Sequence, residues 1–216
     1  MTGADDGDGA GQLWRRFSRH GLAYLIGEIG GRGLSYLILI LLAPLMSLED
    51  FGYVNLFLTL VGLLTVLAGL GLPDAVVRFY YLDEPLDRII GSTVLLIVIG
   101  SLALGVVVFF VGRPINDFLH VPVFVAGLSL ACAPVTAVRQ AWLEVFRARQ
   151  RVGSYALTRL AEPLLMMGVV VLLLVRLGNP GYRSVLLAYG GSTAAVALVG
   201  LVMLSRWPGL RLELCL

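Results

Sequence analysis

The chain has 216 residues, 58% of them hydrophobic and 14% charged, with a net charge of +2 and a mean hydropathy of +0.90. Soluble domains are roughly 45–50% apolar and about 25% charged, so this chain has too little polar surface to face water on all sides. Two cysteines, Cys132 and Cys215, with no CxxC spacing, support neither a disulfide framework nor a zinc site.

The N-terminal stretch 1–12, "MTGADDGDGAGQ", is acidic and Gly-rich, which predicts disorder. It lacks the pattern of a cleaved signal, because the apolar run that follows is too long and carries no small-residue cleavage site. Residues 13–21 interleave Leu, Trp and Phe with Arg15, Arg16 and Arg19. That pattern predicts an amphipathic segment in the headgroup plane, after which the chain turns inward.

A spanning helix needs about 20 mostly apolar residues. Six runs within residues 22–204 qualify: 22–46, 53–77, 89–112, 121–138, 160–175 and 184–204. Their length and lack of strict alternation favour helices over the strands of a closed barrel. The fold class is therefore all-α and integral to a membrane, a bundle of six transmembrane helices followed by a tail, 205–216.

Arginine distribution predicts orientation. On the side of the N-terminus stand twelve: Arg15, Arg16, Arg19, Arg78, Arg88, Arg139, Arg147, Arg149, Arg151, Arg159, Arg206 and Arg211. On the other side stand three: Arg113, Arg176 and Arg183. This bias predicts a multi-pass cell-membrane protein with both termini cytoplasmic. The segment 146–159, "FRARQRVGSYALTR", reads as a basic surface link between the fourth and fifth spans, suited to anionic headgroups.

By these boundaries the third, fourth and sixth spans are free of ionisable residues. The first is not: "GEIGGRGLSYLILILL" carries Glu28 about 9 Å deep and Arg32 about 15 Å deep at helical rise. A charge near the middle of a spanning helix costs at least about 2.5–3.5 kcal/mol unless it faces a partner or a wet cavity. Three readings stay open: a self-neutralising i,i+4 pair, a cavity wall where Arg32 holds an anionic group, or a boundary that leaves Glu28 among headgroups. Asp74 and Arg78 at the end of the second span have the same spacing, and Glu162 opens the fifth span three residues after Arg159. Gly27, Gly30, Gly31 and Gly33 around the first pair suit close helix packing or bending, and Pro44, Pro134 and Pro163 are candidate kinks. Soluble catalytic signatures (GxxxxGK[ST], HExxH, GxSxG) are absent, and His20 and His120 have no acid–nucleophile set beside them, so no enzyme, catalytic residue, metal, cofactor or nucleic-acid partner is expected.

The residues Leu48-Glu49-Asp50-Phe51-Gly52 after the first span and Leu70-Gly71-Leu72-Pro73-Asp74-Ala75-Val76-Val77-Arg78-Phe79-Tyr80 at the end of the second resemble polysaccharide and lipopolysaccharide biosynthesis flippases. These belong to the multidrug, oligosaccharidyl-lipid and polysaccharide exporter superfamily. "FRARQRVGSYALTRLAEPLL" is similar to the basic link before that family's fifth helix. The resemblance covers 22–204 and implies one six-helix lobe of a two-lobed transporter. Family members use alternating access to move polyprenyl-diphosphate-linked oligosaccharides to the outer leaflet. It implies that Arg32, oriented by Glu28, and Arg78 are diphosphate-contact candidates. Members have twelve or fourteen spans, so a six-span chain is expected to be a fragment, or to work with a second lobe or as a homo-oligomer. Asp74 stands where the family usually has a small polar residue. Two alternatives remain: a cation-coupled multidrug antiporter lobe with Glu28 or Asp74 as the coupling acid, and a non-transporting scaffold for glycan-synthesis enzymes. Membrane lipids are partners in every case.

Overall fold

In the computed structural model, the structure describes residues 6–81, 86–119, 121–177 and 181–205. His120 and the tail from 206 onward lie outside these. Among the described residues there are only helices and the turns joining them: α1 (Asp6–Leu42), α2 (Leu48–Gly69), α3 (Leu72–Tyr80), α4 (Leu86–Leu119), α5 (Val123–Ala148), α6 (Val152–Leu177) and α7 (Tyr182–Ser205). Six of them contain a stretch long and apolar enough to cross a membrane: Tyr24–Leu45, Leu48–Gly69, Arg88–Val108, Val123–Ala148, Val152–Leu173 and Tyr182–Val202. The outside of the bundle is apolar, with Tyr36, Ile40, Leu102 and Phe110 exposed, while Thr65, Ser129, Arg139, Glu162 and Thr193 are buried. That inversion suits a lipid solvent, in which polar groups must be satisfied internally.

Helix ends follow local chemistry more closely than hydropathy. The first helix starts at Asp6 and continues through 13–21 without turning, because no proline interrupts it before Pro44, which sits in a 3-10 turn at Ala43–Leu45. Ser47 then caps α2, its hydroxyl accepting from the Asp50 N–H at 3.1 Å, with Glu49 and Asp50 favourably placed in the first turn. The "LEDFG" stretch is therefore the first turn of a helix.

The expected second span, 53–77, is corrected at both ends. It begins at Leu48 and stops at Gly69, where Leu70 (φ 45°) and Gly71 (φ 74°) take left-handed conformations. Pro73 in the next turn supplies no N–H, so it is tolerated at the start of a new helix. The remainder becomes the nine-residue α3, which packs on α5 and α4.

The fourth and fifth spans are corrected more strongly. The helix expected at 121–138 runs to Ala148, and the next begins at Val152 rather than 160. The basic surface link thus reduces to Arg149, Gln150 and Arg151, with Gln150 at a φ of 54°. Arg139, Glu144 and Arg147 belong to the fourth span, Arg88 begins the third, and Arg183 is the second residue of the sixth. The expectation that these three spans lack ionisable residues fails, in the fourth because the fold pairs the charges at which the apolar run stops.

Helix α5 lies at the centre, touching α2, α3, α4, α6 and α7, whereas α1 packs chiefly on α6. The largest apolar core joins Ile38 and Leu42 to Phe57, Val125, Val170 and Leu186. A second packs Val76 of α3 against Ile90, Trp142 and Val145. Contact between α1 and α6 depends on missing side chains. A Cβ at Gly27 would lie 3.3 Å from Ala156 Cα, and one at Gly31 would lie 3.1 Å from both the Arg159 carbonyl oxygen and its Cγ. The glycines therefore serve close packing, as small residues do between helices in lipid. Gly31→Val is expected to cost about 1–3 kcal/mol through overpacking and to lower the melting temperature in detergent. Gly33→Ala, where a Cβ meets nothing within 4 Å, is the control and should leave it unchanged.

Candidate functional site

Polar residues recur at i, i+4, i+7 on three helices: Glu28, Arg32 and Ser35 on α1; Gln140, Glu144 and Arg147 on α5; Tyr155, Arg159 and Glu162 on α6. At 1.5 Å per residue each stripe runs about 10 Å along one helical face. Close packing of α1 on α6 and of α5 on its neighbours turns the three stripes towards one another. All lie in the half of the bundle where the first span begins.

Glu28 is the hub. Its Oε1 accepts from Arg32 Nε at 2.8 Å and from Arg159 Nη2 at 2.9 Å. Its Oε2 accepts from the Tyr155 hydroxyl at 3.0 Å. Tyr155 is itself fixed by an edge-on contact with Tyr24, centroids 5.0 Å apart, and by the Arg147 guanidinium 5.8 Å from its ring centroid. Arg147 Nη1 also donates to both Glu144 oxygens, at 3.1 and 3.2 Å.

Deeper lies a second network. Arg139 Nη1 is 2.9 Å from Glu162 Oε2, with the two side chains only 6% and 11% exposed. Thr193 of α7 donates to Glu162 Oε1 at 2.7 Å. One buried carboxylate thus ties α5, α6 and α7 together.

Two cavities adjoin these networks. The outer, about 360 Å³, is lined by Glu28, Asp74 and Glu144 against Arg32, Arg147 and Arg159, with Thr65 and Gln140 between them. Its acids and arginines balance. The inner, about 130 Å³, is lined by Arg32, Arg139 and Arg159 against Glu162 alone, with Ser35 and Tyr189. Its wall is net cationic. Arg32 and Arg159 belong to both, so the Glu28 hub stands at the boundary between the two.

Of the residues singled out in the sequence, Glu28 and Arg32 do form their i,i+4 pair, but as part of a three-helix cluster. Asp74 lines the outer cavity, whereas Arg78 lies exposed on α3 and away from both cavities. No ion pair joins Asp74 to Arg78. Arg159 and Glu162 do not pair with each other but with Glu28 and Arg139. Arg139, Glu144, Arg147 and Tyr155 were missed as site residues, although the repeated i, i+4, i+7 polar spacing marks most of them. Among the described residues no group of three His, Cys, Asp or Glu side chains is placed to hold a metal ion.

Comparison with known proteins gives one result. The profile of a family described as polysaccharide biosynthesis protein matches residues 17–213. No curated protein and no solved structure matches this chain.

Proposed function

This chain belongs to the polysaccharide biosynthesis protein family, and we propose that it carries a polyprenyl-diphosphate-linked glycan precursor from the cytoplasmic to the outer leaflet of the cell membrane. The observation that supports this reading best is the sharing of Arg32 and Arg159 between a balanced outer cavity and a cationic inner one, both inside an apolar bundle. A diphosphate cannot cross hydrocarbon bare, since each unpaired charge is strongly disfavoured there. Guanidiniums match phosphate oxygens in a bidentate fashion, and the polyprenyl tail stays in lipid throughout.

The mouth of the outer cavity faces the cytoplasm in this reading. With Arg88, Arg139, Arg147 and Arg159 placed inside the spans on that side and Arg183 on the other, eight arginines still outnumber two. The headgroup enters there, meets Arg32 and Arg159, and passes outward when this lobe rocks against a second lobe or a second copy.

A cation-coupled drug antiporter would need an available acid. Two arginines and a tyrosine hold Glu28, which leaves Asp74 as the better candidate for that role. Purified protein reconstituted in vesicles should flip a fluorescent polyprenyl-diphosphate sugar when its partner lobe is supplied. Flipping of cationic dyes instead would favour the antiporter, and no movement of either would favour a scaffold for glycan-synthesis enzymes.

A further inference from the structure

The two ion-pair networks differ in how easily they can open. Glu162 and Arg139 are almost fully buried, and their separation would strand two charges in the bundle. The Glu28 hub is more open: its side chain is 31% exposed, that of Arg32 70% and that of Arg159 20%. The Arg32 pair is the more exposed and the Arg159 pair is only partly buried, so a rival anion displaces Glu28 at less cost than it would Glu162. The hub also stands where the cavities meet, and its arginines line the inner chamber, whereas Glu28 does not.

The arginines of the inner chamber are not fully satisfied by the protein. Arg139 Nε and Arg159 Nε are both buried without a hydrogen-bond partner. Arg139 as a residue is only 5% exposed, and both arginines line this chamber. A buried donor without a partner is costly, and the three arginines on the wall of this small cationic chamber suit an oxyanion with several acceptor oxygens.

We propose that Glu28 is a built-in competitor for the anion site. A phosphate-type headgroup binds by displacing the Glu28 carboxylate from Arg32 and Arg159, and the freed guanidiniums then close with Arg139 around the anion in the inner chamber. This rests on the transport reading above and adds to it a resting state in which the site is occupied by the protein's own carboxylate. Tyr155 belongs to the resting state, because its hydroxyl holds Glu28 and lies outside the inner chamber.

Inorganic pyrophosphate is the probe, titrated calorimetrically at fixed low salt into the full chain in phosphatidylcholine nanodiscs. Glu28→Gln keeps the side chain's shape and removes its charge, so it should bind pyrophosphate about tenfold tighter or more, as expected when a competing state is removed. Tyr155→Phe deletes one of the three donors to Glu28 and should tighten binding roughly two- to fivefold by the same logic. It carries the test alone if Glu28→Gln does not fold. Binding that is equal or weaker in these variants than in the unaltered chain overturns the displacement while leaving the anion site standing. No binding by any of the three overturns the anion site and the displacement together. Repeating the titration with phosphatidylglycerol identifies the natural anion. A gain kept in both lipids assigns the chamber to a diphosphate, and a gain lost in the anionic lipid assigns it to a phospholipid headgroup. Either pattern supports displacement of Glu28.

Discussion

Replacing Glu162 by Ala is expected to lower stability by about 3–5 kcal/mol, since breaking a buried pair leaves an uncompensated charge behind. Arg139, almost fully enclosed, would have no carboxylate, and the Thr193 hydroxyl would lose its acceptor. Only the small inner cavity adjoins the stranded guanidinium, so water would solvate it poorly. At roughly 2–4 °C per kcal/mol for a chain of this size, the melting temperature in detergent should fall by about 6–20 °C. Changing Arg139→Met together with Glu162→Leu removes both charges and should recover most of that loss. A single change that leaves the melting temperature within a couple of degrees would mean that the pair does not hold α5, α6 and α7 together. Failure of the double change to recover stability would point to packing rather than charge.

Arg32→Ala should have the opposite profile, with little loss of stability and a large loss of transport. Its side chain is 70% exposed and little of it is packed against the bundle, so little folding energy rests on it. A hydrogen bond to a charged group contributes about 1.5–3 kcal/mol, so losing one to the headgroup should slow vesicle flipping by about ten- to a hundredfold. Lys at this position should recover only part, because a point charge does not reproduce the planar fork of guanidinium. Arg78→Ala, on the exposed face of α3 and away from both cavities, should leave flipping near its starting level. Unchanged flipping in Arg32→Ala, with the protein inserted and abundant, would remove Arg32 from the site. An equal loss in Arg78→Ala would move the site towards α3.

Arg32 and Arg78 looked alike in the sequence, each four residues after an acid. The structure separates them because Leu70, Gly71 and Pro73 end one helix and start another. Arg78 is thereby carried out of the span, while Arg32 stays within an unbroken one. Arg139 shows the converse. It closes an apolar run and so reads as the first residue of a surface link, yet α5 continues nine residues beyond it. Nothing local reveals this, because what permits the charge there is Glu162, 23 positions away and on another helix.

The amino-acid sequence by itself determined six membrane-crossing helices, their chain order and the small-residue face of α1. Those follow from lipid, which demands long apolar runs and self-satisfied backbones whatever the neighbours are. Only the tertiary structure decided which charges meet. Glu28 finds Arg159 because three glycines let α1 lie against α6, and Arg139 finds Glu162 because α5 packs against both α6 and α7. A charge in lipid needs a partner, but only the packing of helices distant in sequence selects which one.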